Sequence, residues 1–138
     1  MTNLEIFYLI LPILFYSCSG IFDAIMDTLR DHFSVSIFSK LTPNFWNPTV
    51  SWTNKYTNND PKNGHKYIKI LGIKVNTLDV FSDAWHILKL IKEGFNILAI
   101  IAAVGLVVTQ TQMLLLILTL VVARNIFFNL FYNFILKK

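Results

Sequence analysis

Cysteine occurs once in this 138-residue chain, charged side chains make up only 14% of it, and the opening stretch Met1-Thr2-Asn3-Leu4-Glu5 has no lysine or arginine. The single cysteine, Cys18, excludes an intrachain disulfide and leaves the redox compartment open. Cys18 follows an apolar run, as a lipoprotein acylation site does. The bulky Phe15-Tyr16-Ser17 before it is wrong for such a site, and a buried thiol in a membrane helix is the expected role. This opening, without a basic residue, lacks the positive region that starts a signal peptide. Scarcity of charge is the most restrictive absence, because soluble domains carry about 25% charged residues. With 54% hydrophobic residues and a mean hydropathy of +0.54, the chain reads as one membrane domain over 1–138.

The apolar residues fall into three long runs, which predicts an all-α membrane protein with three transmembrane helices, about 4–29, 78–108 and 113–136. Leu4 to Phe22 is apolar apart from Glu5 and small polar residues near Ser17, close to the roughly 20 residues that cross a bilayer core. Pro12 inside it predicts a kink rather than a break, and the helix is expected to continue through Asp23, Asp27 and Arg30. Thr77 is the expected N-cap of the second helix, with Asp79 in its first turn. Its first half mixes charged and apolar residues, and its second half, Gly94 to Val108, is almost wholly apolar. Thr109-Gln110-Thr111-Gln112 is a polar break before the third run.

Between the first two runs, 32–77 changes character. Pro43, Pro48, Pro61 and Asn63-Gly64 are turn signals, interleaved with Phe45, Trp46, Trp52 and Tyr56. Trp and Tyr favour the membrane–water boundary, so an ordered interfacial loop is expected. The stretch from His65 to Val75 alternates in part and predicts a strand or hairpin around Gly72. His65 itself reads as a solvated turn residue.

Basic residues set the expected topology. Arg30, Lys40, Lys55, Lys62, Lys66, Lys69 and Lys74 lie in or beside the central loop, and Lys137 and Lys138 follow the last run. The positive-inside rule puts the N-terminus outside and the loop and C-terminus in the cytosol. The net charge is +4. Its lysines are spread singly among aromatic and polar residues, which favours anionic lipid head groups over nucleic acid.

Two doubled aspartates carry the chemical signal. Asp23 and Asp27, with His32 beyond, and Asp79 and Asp83, with His86 beyond, are each spaced to share a helix face. Clustered carboxylates near a membrane need a cation, a proton or an arginine. The topology puts both pairs on one side, so Asp23, Asp27, Asp79, Asp83 and His86 are the expected ligands of a divalent metal, Mg, Mn or Zn. Arg124, inside the third run, needs a counter-charge, and Asp23 or Asp27 is the first candidate. On a phosphate-bearing lipid head group, Arg124 could neutralise oxygens while His32 or His86 served as acid, base or nucleophile. Asn125, Asn129 and Asn133 form a polar stripe, with Asn125 and Asn129 candidates for substrate contact and helix–helix adhesion the competing role.

The segments Phe45-Trp46-Asn47-Pro48, Ser51-Trp52-Thr53-Asn54-Lys55-Tyr56 and Phe81-Ser82-Asp83-Ala84-Trp85-His86 resemble a family of small uncharacterised membrane proteins from bacteria and their phages, over roughly residues 20 to 92. The resemblance brings no activity with it. It draws Trp46, Asn54, Lys55, Asp83 and His86 into one set, with Trp46, Asn54 and Lys55 as substrate contacts. The leading expectation is therefore a metal-dependent protein acting on or binding a phosphate-bearing lipid head group. The alternatives are a non-enzymatic membrane subunit assembling through its polar helix faces, or an oligomer conducting protons or cations past Asp23, Asp27 and Arg124. Three spans make a thin core, so a homo-oligomer or larger membrane assembly is expected.

Overall fold

The structure, a computed structural model, describes residues 3–75, 77–104 and 110–137. It is mostly helical. Helix α1 (Asn3–Asp31) is followed by a chain of short turns that includes α2 (Pro43–Trp46) and α3 (Pro48–Ser51). A hairpin of β1 (Ile68–Ile70) and β2 (Ile73–Val75) then leads to α4 (Ala84–Val104) and α5 (Gln110–Leu130). A π-turn, Phe131–Ile135, extends α5.

Pro12 lies inside α1 without ending it, and the helix runs through Asp23, Asp27 and Arg30 as its composition predicts. At about 1.5 Å per residue the 29 residues of α1 exceed the roughly 30 Å of a hydrocarbon core. The segments Tyr8–Asp31 and Thr111–Ile135 are both long and apolar enough to cross a membrane.

The second helix departs from expectation at its start. It begins at Ala84, because Thr77–Phe81 forms a 3-10 turn. The expected cap, the Thr77 side chain, lies outside the described residues, as do 105–108 of the expected second span and Thr109 of the polar break. Gln110 to Gln112 already belong to α5.

Helix α1 is the axis of the bundle. It packs along both α4 and α5, which hardly touch one another among the described residues. Its packing face mixes small side chains with larger ones: Ser17 and Ser19 are 3% and 0% exposed, Ala24, Thr28 and Leu29 are fully buried, and Met26 is buried with them. Small residues let membrane helices approach closely. Phe95 of α4 stacks on Phe22 at 5.5 Å and meets Phe15 at 6.3 Å. An apolar cleft of about 560 Å³ remains between α4 and α5, with Tyr16 at its floor and Asn96 among its walls.

The central loop is ordered by local chemistry. Pro43, Pro48 and Pro61 each open a helical turn, where a missing N–H costs nothing. Ser36, Asn47 and Asp60 cap turns by accepting from the N–H two residues on. The loop is tied back to the bundle where Ile37 N–H donates to the Leu136 carbonyl at 3.0 Å.

Candidate functional site

The predicted site residues do not converge, and part of them fall into three polar centres. The first lies inside the bundle. Arg124 of α5 donates from Nη2 to Asp23 Oδ2 of α1, and Lys92 of α4 reaches Asp23 Oδ1 at 3.2 Å. One carboxylate therefore joins all three long helices. Lys92 also pairs with Glu93 at 3.2 Å, and Asn96 Nδ2 donates to Glu93 at 3.0 Å. The Arg124 guanidinium lies 5.6 Å from the Tyr16 ring centroid, within cation–π range. Gly20 makes this approach possible, since a Cβ there would lie 2.6 Å from the Arg124 carbonyl oxygen.

The expected counter-charge for Arg124 is thus Asp23. Asp27 pairs instead with Arg30 at 3.1 Å, and Arg30 is also held by Asp31 at 2.8 Å.

The second centre is the start of α4. Asp83 is 1% exposed, and its Oδ1 accepts from the His86 backbone N–H at 2.9 Å, the geometry of an N-cap. His86 Nδ1 lies 2.9 Å from both Asp83 oxygens. Asn54 locks this corner by donating from Nδ2 to the Ser82 carbonyl at 3.1 Å and to the Asn44 carbonyl at 2.5 Å. Lys66 in turn donates to the Asn54 carbonyl at 2.8 Å. Asn54, Asp83 and His86 thus share one corner. Trp46 stacks on Phe38 at 6.2 Å, and Lys55 lies 5.3 Å from the Tyr56 ring.

Asp79 does not share a helix face with Asp83, because the chain between them is a 3-10 turn and a bend. It faces His65, whose Nδ1 is 2.7 Å from Asp79 Oδ2. His65 also packs edge-on against Tyr56 at 4.7 Å, so it is a contact residue and not the solvated turn residue its polar surroundings predict.

The third centre joins the end of α1 to the π-turn after α5. His32 Nε2 is 2.9 Å from the Tyr132 hydroxyl, and Lys137 Nζ is 3.8 Å from the Tyr132 ring centroid. His32 and His86 therefore belong to different centres. Among the described residues no group of three or more His, Cys, Asp or Glu side chains is placed to hold a metal ion. Asp23, Asp27, Asp79 and Asp83 each turn to separate partners.

Asn125 and Asn129 lie on the exposed face of α5 with Val122 and Ile126. Asn129 Nδ2 donates to the Asn125 carbonyl at 2.8 Å, and Asn133 Nδ2 is 3.4 Å from Asn129 Oδ1.

Sequence reasoning missed Lys92 and Tyr132, whose roles arise only from long-range packing. Gly20 had a usable signal, a glycine inside an apolar helix. Comparison with family models, curated proteins and solved structures yields no match to this chain.

The Asp83 cap has a measurable consequence. Asp83→Ala is expected to lower stability by about 1–2 kcal/mol, whereas Asp83→Asn keeps an oxygen facing the His86 N–H and loses less. Thermal unfolding of both variants in the same detergent checks the order.

Proposed function

We propose that this chain is an integral membrane protein of three spans that acts as an assembly subunit, associating with a second copy through the asparagine stripe of α5. Helix α4 supplies the third crossing over its 21 residues, Ala84–Val104, with the apolar half from Gly94 deepest in the bilayer. The N-terminus lies outside, and the loop and C-terminus face the cytosol, in keeping with the seven basic residues from Arg30 to Lys74.

One observation carries the assignment. Between the three long helices Asp23 meets Arg124 and Lys92. The amides of Asn125 and Asn129 instead face outward from an apolar helix. Neighbouring Val122, Ile126 and Phe134 are 56%, 59% and 78% exposed. Asn129 donates to the Asn125 carbonyl within its own helix, an amide in hydrocarbon seeks partners for its remaining groups, and interhelical amide hydrogen bonds are worth about 0.6–2 kcal/mol each. Each amide both donates and accepts, so the same stripe on a second copy is a complementary partner across a two-fold axis.

A divalent-metal site acting on a phosphate-bearing lipid head group has less support. Asp23, Asp27, Asp79 and Asp83 already face Arg124 with Lys92, Arg30, His65 and His86 respectively.

The test is self-association of the full chain in detergent by energy transfer between labelled copies. Asn125→Leu with Asn129→Leu keeps the helix apolar and is expected to weaken association by roughly tenfold, which corresponds to about 1.4 kcal/mol. Unchanged association of the double variant would overturn the assignment.

A further inference from the structure

The hairpin of β1 and β2 has a composition and a shape that its own contacts do not explain. Ile68 pairs with Val75, Lys69 with Lys74 and Ile70 with Ile73. Side chains alternate across a strand, so one face carries Ile68, Ile70, Ile73 and Val75, and the other carries two lysines directly opposite each other. The apolar face is uncovered: Ile68, Ile70 and Ile73 are 40%, 49% and 69% exposed. Facing like charges destabilise an antiparallel pair, and among the described residues Lys74 has only the Tyr67 ring, 4.4 Å away, against its ammonium. A two-stranded hairpin in water is marginal even without these burdens.

The tip is more unusual still. Leu71 and Gly72 both have positive φ, 50° and 82°, as a two-residue type I′ turn requires. Asparagine or aspartate before glycine suits that turn, and a bulky side chain at positive φ is an outlier. Here a leucine occupies it and is 98% exposed. Strain at an exposed apolar tip points to a function outside the fold itself.

We infer that this hairpin is a wedge that docks on an anionic phospholipid surface. Leu71 and the isoleucine face enter the head-group boundary, and Lys69 and Lys74 meet lipid phosphates, which relieves their mutual repulsion. Charge complementarity selects the occupant, since a neutral surface would cover the isoleucines and leave the facing lysines uncompensated. Anionic lipids of the cytoplasmic leaflet attract basic segments beside a membrane. The inference rests on the membrane assignment above and adds a second, charge-dependent attachment to it.

The full chain, with Cys18→Ser, is labelled with a fluorophore through Ile70→Cys and reconstituted into lipid nanodiscs. One set is phosphatidylcholine alone, and the other contains phosphatidylglycerol. Quenching by nitroxide lipids is expected to be severalfold stronger in the anionic discs, with aqueous iodide showing the reverse. Leu71→Asn creates the favoured turn sequence and so keeps the hairpin, yet it should release the label to iodide. Lys69→Gln with Lys74→Gln should abolish the difference between the two lipids. A label open to iodide in both lipids overturns the wedge, as does lipid quenching that ignores lipid charge. A label shielded only at high protein-to-disc ratio also overturns it, in favour of contact between copies. Failure of the parent chain to enter discs at all, judged by alkaline extraction, instead defeats the membrane assignment.

Discussion

Replacing Arg124 with leucine is expected to destabilise the bundle by about 1.5–3 kcal/mol, the usual loss of a hydrogen bond to a charged, partly buried group. The substitution improves the hydropathy of α5, so a stability scale based on composition alone predicts a gain. The opposite sign follows from Asp23. Its carboxylate is held by Arg124 and Lys92 together, and its side chain is only 19% exposed. Without Arg124, α1 and α4 remain joined by the Lys92 contact while α5 loses its ionic contact with Asp23. Thermal unfolding in detergent should drop by roughly 5–10 °C, on the scaling of small domains. The control is Asp23→Asn in the same background. Because the two groups are in contact, the double variant should be less unstable than the sum of the single losses, with a coupling of about 1–3 kcal/mol. Additive losses would show that the pair contributes nothing as a pair.

Gly20→Ala should be the second most damaging change, at about 1–3 kcal/mol for an overpacked contact. Alanine is the better helix former, so local propensity again predicts the wrong sign. The obstacle is steric. The new Cβ would lie 2.6 Å from the Arg124 carbonyl oxygen and 2.9 Å from its Cγ. The first of these atoms is backbone and cannot rotate away, so α1 and α5 must separate. Separation also draws Arg124 from Asp23, which couples the packing defect to the ion pair. The matched control is Gly94→Ala in α4, where a Cβ would meet nothing within 4 Å. That change should be neutral or slightly stabilising. Equal effects at both glycines would remove the steric explanation.

Much of the architecture was legible from residue order. The apolar runs announced α1 and α5, the Pro12 position did not mislead, and the hairpin around Gly72 was visible in its alternation. These features depend on near neighbours and on period, which a linear reading can follow. The start of α4 was not legible, because Asp79 and Asp83 read equally well as one helical face. The 3-10 turn of Thr77–Phe81 rotates Asp79 toward His65 and leaves Asp83 as the cap. Doubled aspartates therefore look like a shared metal site in sequence and become partners of four different groups in three dimensions.

By itself the sequence determined that this is an apolar, largely helical chain with two helices able to cross a membrane and a basic segment between its first two apolar runs. Hydropathy, charge count and turn chemistry are additive along a chain, so no contact had to be known. Only the tertiary structure decided that Asp23, and not Asp27, answers Arg124, that Lys92 completes that trio, and that the asparagines of α5 face outward. Those outcomes depend on how three helices rotate against one another. At helical spacing a rotation of one residue, about 100°, exchanges an inward group for an outward one. The packing of side chains along α1 sets that rotation.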